Sequence, residues 1–266
     1  MVYATRILVL FFLVVVGAEA QSQPTRNGEA SRDAQAIAIL AKCIRATGGE
    51  SAVKKVKNFN ATGTIIHYWG GKEVKGSTTM QARGSDEFRM DSNVTQGTRS
   101  IVIGRGKSTI NDPNGKSREV PFHNSMNMGA LTLPFLPLLE AQEEATTSVL
   151  FMGQVSVDGH QAYQIRIIRS FAAQGDNEGI LSRLSTKDFF IDSISFLPIS
   201  ARWMTHPFDD YLQDIPQQML FSDFRAVEGV LVPFAVTETI HGQKTWAFQA
   251  ETVKLNSELS QSVFEH

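Results

Sequence analysis

The chain has 266 residues, 42% hydrophobic and 20% charged, with 25 basic against 27 acidic side chains and a formal charge of −2. That balance excludes a disordered chain and gives no electrostatic reason for a nucleic-acid partner. A single cysteine excludes a disulfide framework and a cysteine-built zinc site.

Arg6, the unbroken apolar run Ile7 to Val16, and Gly17-Ala18-Glu19-Ala20 form the three parts of a secretory signal. The run is shorter than the ~20 apolar residues that cross a bilayer. Cleavage after Ala20 predicts a mature chain that starts at Gln21, with no transmembrane segment and no cysteine for a lipid anchor. The protein is thus expected to be exported and soluble, periplasmic or secreted. Residues 21–30, with Pro24 and Gly28, read as a flexible leader, and residues 31–266 as one domain. Cys43 then stands in an oxidising compartment with no partner of its own, and reads as a small buried apolar residue.

Ala34, Ile37, Leu40, Ala41 and Ile44 recur at helical spacing. Ser31 is the expected cap and Asp33 suits the positive end of the dipole. Lys42 and Arg45 suit the other end, where Gly48-Gly49 stops the helix. After Asn58 the period falls to two. Strands are predicted from there to Trp69 and over Glu73–Arg83, Glu87–Asn93, Arg99–Gly104 and Lys107–Asn111, with turns at Gly70-Gly71, Gly84-Ser85, Gly104-Arg105-Gly106 and Pro113-Asn114-Gly115. The second half adds Val149–Val157 and Gln161–Ser170 around Asp158-Gly159, a two-residue hairpin signal because both residues tolerate positive φ. Leu184–Ile191, Ile199–Thr205, Gln218–Val227, Leu231–Ile240 and Thr245–Leu255 follow, with turns at Glu228-Gly229 and His241-Gly242. Roughly ten to eleven strands without crossover helices predict a mainly β (α+β) protein built on an antiparallel meander.

One stretch breaks the rhythm. Pro121 to Glu144 is dense in apolar residues, and Pro134 and Pro137 forbid a central strand and are expected to kink any helix there. It reads either as a helical plug completing the core or as a lid over a ligand, and Met126 and Met128 suit variable apolar partners.

Motifs for catalysis are scarce. Gly106-Lys107-Ser108 and Gly115-Lys116-Ser117 lack the earlier glycine of a phosphate-binding loop, and no G-x-S-x-G occurs. The histidines have no metal-ligand spacing. Asp209, Asp210 and Asp214 crowd one loop but lack a calcium-loop pattern. Asn60-Ala61-Thr62 and Asn93-Val94-Thr95 match the glycosylation acceptor rule. The expectation is therefore no enzyme, no cofactor and no metal; an enzymatic reading would rest on His67, His206 and Asp210, whose spacing implies no proximity.

The layout resembles the periplasmic lipoprotein-carrier superfamily of LolA-like and LolB-like half-barrels. The resemblance is carried by Ala46-Thr47-Gly48-Gly49 leading into Val56 to Thr64, by Ala82 to Met90, by Ile101 to Lys107, by Phe221 to Phe234 and by Val253 to Phe264. Gly84 stands where that pattern has a proline, and the Asp-rich loop near Phe208 lengthens the chain. The resemblance implies an incomplete barrel wrapped around the N-terminal helix and a central helical lid or plug, with a hydrophobic cavity for acyl chains. Candidate lining residues are Met126, Met128, Leu131, Leu133, Phe135 and Leu136, with Trp69 and Trp203. Arg83 would match the arginine that closes the lid. The implied partners are an acylated lipoprotein or lipid and an outer-membrane receptor. The alternative is an envelope sensor or protein-interaction module with the same fold and no lipid transport.

Overall fold

The computed structural model describes residues 30–104, 108–128 and 132–265. The expected signal, the leader up to Glu29, the Gly106-Lys107 pair and the candidate Leu131 lie outside the described residues. The first meander comprises β1 (Asn58–Trp69), β2 (Lys72–Arg83), β3 (Glu87–Val94), β4 (Gly97–Ile103), β5 (Ser108–Asn111) and β6 (Ser117–Glu119). The second comprises β7 (Ser148–Val157), β8 (His160–Ile168), β9 (Lys187–Asp192), β10 (Pro198–Thr205), β11 (Ile215–Val227), β12 (Val230–Ile240) and β13 (Gln243–Leu255). They form one antiparallel sheet in the order β6-β5-β4-β3-β2-β1-β13-β12-β11-β10-β9-β8-β7.

The sheet is an open half-barrel. Its thirteen strands exceed the ten to eleven expected. The extra edge strand, Ser117–Glu119, is exposed at all three residues and so carries no alternation. The strand expected from Leu184 begins at Lys187, because Ile180–Leu184 forms a short helix, α5. Gly70-Gly71, Asp158-Gly159, Glu228-Gly229 and His241-Gly242 have φ between 49° and 82° at both residues. Those are the turns whose twist matches that of the paired strands.

Within the sheet the two meanders are joined at the seam between β1 and β13. There β13 bulges at Glu251, between the partners of Thr62 and Gly63. A Cβ on Gly63 would lie 2.1 Å from the Gln249 carbonyl oxygen, so this position admits only glycine. Such a bulge bends the strand and raises its twist, which helps a sheet curl.

The concave face is filled by helices. α1 (Ala34–Thr47) is capped by Asp33, whose carboxylate accepts from the Gln35 and Ala36 amides at 2.7 and 3.3 Å. Ser31, the expected cap, is instead drawn alongside β7, where its carbonyl accepts from Val149. The buried face of α1 is Ala36, Ile39, Leu40, Cys43, Ile44 and Thr47. That face is rotated from the predicted one, leaving Ala34 exposed. A second short helix, α2 (Glu50–Val53), leads into β1.

Because β6 and β7 are opposite edges of the sheet, the chain between them must cross the mouth of the half-barrel. This crossover, residues 120–147, carries α3 (Phe122–Ser125) and α4 (Phe135–Glu143). Pro134 and Pro137 sit at the start of α4, where a missing N–H costs no intrahelical bond, so the helix they were expected to kink runs on to Glu143. Phe135, Leu136, Leu138, Leu139 and Ala141 are buried. They join α1 and inward residues such as Phe59, Ile65, Met80, Phe189 and Phe248 in one core.

Candidate ligand-binding cavities

The crossover fills much of the interior, yet three cavities remain beside it. The first, about 390 Å³, has apolar walls from Met126, Met128, Pro137, Ile167 and Phe189, and charged groups on Glu140, Arg169 and Lys187. The second, about 290 Å³, includes Ile103, Val120, Phe122 and Phe171, and shares Ser85, Met126 and Arg169 with the first. Together they make one trough. The third, about 670 Å³, lies toward His67, Trp69 and Trp246 and shares Met128 with the first. Two flexible methionine side chains therefore stand at the partitions between three compartments.

Lys187 brings a charge to the trough. It is 8% exposed, and its ammonium donates to the Met126 carbonyl at 3.4 Å. Burial, helped by the nearby Arg169 charge and opposed by Glu140, pulls its pKa down to about 8.

The crossover is fastened at several points. Asn124 donates to the His206 carbonyl at 2.7 Å and accepts from the His206 amide at 2.9 Å and the Thr205 hydroxyl at 3.1 Å. Asn127 donates to the Leu184 carbonyl at 2.5 Å. Arg32 reaches the C-terminal end of α4 and donates to the carbonyls of Ala141, Gln142, Glu144 and Thr147 at 2.7–3.1 Å. The first three are carbonyls that a helix terminus leaves without intrahelical partners, and Thr147 lies in the turn that follows. Arg83 makes its hydrogen bonds elsewhere, to Glu87, Leu259, Ser260 and Gln261, and its guanidinium lies 5.1 Å from the Phe264 ring centroid. It secures the C-terminal tail against β2 and β3.

The other candidates separate into two sets. Met126, Met128 and Trp69 line the three cavities. Leu133, Phe135 and Leu136 are buried in the packed core and line none of the three. Trp203 is buried and lines a separate cavity of about 280 Å³ with Arg166 and Asp188.

His67 and His206, whose spacing implied no proximity, line the same large cavity. Asp210 instead accepts from the Leu212 amide within its own turn. Asp214 meets His206 Nε2 at 2.9 Å and Arg183 at 3.4 Å. Among the described residues no group of three or more His, Cys, Asp or Glu side chains is placed to hold a metal ion. Cys43 is fully buried, and burial pushes its thiol up to about 12, which suppresses the reactive thiolate.

Sequence reasoning missed Arg32, Asn124, Lys187, Arg99, Gln217 and Glu238. The last three had a readable signal: each shares strand parity with apolar neighbours, as Glu238 does with Phe234 and Val236. A polar residue on the inward parity marks either a paired core group or a site. The long-range partners of Arg32 and Asn124 leave no trace in the local pattern.

No protein-family model and no curated protein matches the sequence significantly. Solved structures do match. A putative outer membrane lipoprotein-sorting protein domain from Vibrio parahaemolyticus aligns over 86% of this chain and 95% of its own, at 10% identity and TM-score 0.50. A DUF1329 family protein from Desulfovibrio piger aligns over 86% of this chain and 96% of its own, at 12% identity and TM-score 0.53. The fold is therefore the open half-barrel of the lipoprotein-sorting type, which agrees with the resemblance noted in the sequence.

Proposed function

We propose that the protein is an exported carrier that holds acyl chains of a lipoprotein or lipid in the trough beside Met126 and Met128, working by binding and not by catalysis. Its partners would be the acylated cargo and an outer-membrane receptor that accepts it. The observation that carries this reading is the trough itself, a space left open beside the packed core and walled on its apolar side by Met126, Met128, Pro137, Ile167 and Phe189. Its size falls in the range of small-ligand pockets, and each methylene buried there contributes ~0.8 kcal/mol. The signal-like N-terminus supports a location beyond the inner membrane.

The test is to purify the mature chain, extract bound material for mass spectrometry and titrate the stripped protein with a fluorescent fatty acid. Copurified lipid and saturable binding are expected, with binding weakened at least tenfold (~1.4 kcal/mol) by Met126→Trp or Met128→Trp, which fill the trough. A chain that carries no lipid and gives no saturable titration would sink the proposal.

A further inference from the structure

The inner face of the half-barrel changes character along its strands. On β1 the inward residues run Phe59, Ala61, Ile65 and then His67; on β12 they run Val232, Phe234, Val236 and then Glu238. β11 passes from Phe221 and Met219 to Gln217, and β4 from Ile103 and Ile101 to Arg99. All four exchanges occur at one end, and the register sets Trp246 of β13 opposite both His67 and Glu238. This end encloses the largest of the three cavities.

Its walls combine indole surface with hydrogen-bonding groups. His67 stacks on Trp69 with ring centroids 4.7 Å apart. Gln217 donates to Glu238 at 2.7 Å, and the Thr245 hydroxyl donates to the other carboxylate oxygen. Arg99, with a side chain 13% exposed, lies 3.5 Å from Asp112. His67 is 1% exposed, and its Nε2 has no hydrogen-bond partner; His206 Nδ1 is likewise buried and without one. Buried polar atoms are normally satisfied, so unpaired ones on two residues that line one cavity leave hydrogen-bonding capacity there for a ligand.

The charges cancel. Arg99, Arg118, Glu119 and Glu238 all line the cavity. Burial pushes the Glu238 carboxyl up toward its neutral form, and burial with the nearby Arg99 charge pulls His67 down to about 4, keeping it uncharged at neutral pH. With Glu238 and His67 uncharged, Arg99 is offset by Asp112 at 3.5 Å and Arg118 by the adjacent Glu119, so no surplus of either sign is left to select an ion. Tryptophan faces suit the apolar C–H face of a ring, while mixed donors and acceptors suit groups that both donate and accept.

We infer that this compartment binds a neutral polyhydroxylated ring, a sugar either free or as the head group of an amphiphile, stacked on indole with its hydroxyls on His67, Arg99 and Glu238. Met128 borders both this cavity and the trough, so the chain of such an amphiphile has a direct path into the apolar side. The sugar site itself does not depend on the acyl-carrier reading.

The experiment titrates the mature chain, by calorimetry and tryptophan fluorescence, with methyl glycosides of glucose, galactose, mannose and N-acetylglucosamine. The octyl form of the best-bound sugar follows, below its micelle concentration, with 1-octanol as control. At least one methyl glycoside is expected to saturate. Its affinity should fall at least tenfold in Arg99→Gln and in Trp69→Ala, each checked for native circular dichroism, and should persist in Met126→Trp. An octyl form bound at least tenfold tighter than the methyl form identifies a head-group site, and equal affinity identifies a free-sugar site. The inference is overturned if no glycoside in the panel binds, or if binding is unchanged in both folded variants. Methyl glycosides do not need the trough, so failure to find bound lipid would leave this result standing.

Discussion

Replacing Arg32 by alanine removes the guanidinium from four carbonyls at and just beyond the end of α4, of which Glu144 keeps the Thr147 amide as a donor. The four bonds measure 3.1 Å to Ala141, 2.7 Å to Gln142, 2.8 Å to Glu144 and 3.0 Å to Thr147. A hydrogen bond to a charged group contributes about 1.5–3 kcal/mol net. The four share one donor and are not additive, and water can replace the donor at the exposed Glu144 carbonyl. Loss of the favourable cation at the helix C-terminus adds about 0.3–1 kcal/mol. A total near 3–4 kcal/mol is expected, a large share of the ~5–15 kcal/mol that holds a typical domain folded. Urea unfolding of the two proteins measures it, and hydrogen exchange over residues 135–147 shows where it acts. Arg32→Lys keeps the charge without the fork and should recover less than half of the loss. A loss under about 0.5 kcal/mol with unchanged exchange in α4 would refute the claim that Arg32 fastens the crossover.

Asn124→Ala frees both the His206 backbone and the Thr205 hydroxyl, so a loss of about 2 kcal/mol is expected, with faster hydrogen exchange confined to residues 122–128 and 205–214. Unchanged exchange in both segments would show that these contacts do not tie them together. Lys187 provides a pH test. Its folded pKa of about 8 lies below the usual 10.5, so between those values the unfolded chain holds a proton that the folded chain has released. Stability should therefore rise by about 3 kcal/mol as pH climbs from 8 to 10.5. Lys187→Met should be more stable than the native chain at pH 7 by a similar amount, a difference that shrinks toward pH 10.5. A stability difference between the two proteins that is flat from pH 7 to 10.5 would contradict the burial argument.

Much of the fold was legible because hairpins announce themselves locally. Asp158-Gly159, Glu228-Gly229 and His241-Gly242 specify their turns by residue chemistry alone, and alternation in the flanking strands supplies the rest. Three kinds of feature were not legible. Ser117–Glu119 lies fully exposed at an edge, so no burial pattern writes it into the sequence. The seam of β1 with β13 joins residues as distant as Thr62 and Thr252, and no local signal encodes such a pairing. The crossover was ambiguous because plug and lid require the same apolar residues. It does both, with Phe135 and Leu136 packed solid while Met126 and Met128, and Pro137 and Glu140 within α4, border open space. Of the candidate site, the methionines and Trp69 could be read from composition. Arg32 could not, since its acceptors lie more than a hundred residues away.

The β1–β13 seam also has a consequence for biogenesis. β13 follows every other strand in the chain, and without it the two meanders have no contact along their central edges. Pairing over such sequence distance is slow, since loop closure must precede any gain from contacts. A chain still emerging from a ribosome or a translocation pore thus lacks the half of the wall that β13 joins to β1. The largest compartment, walled in part by Thr245 and Trp246, is completed only with the last strand, so an unfinished molecule lacks that site for capturing a ligand prematurely.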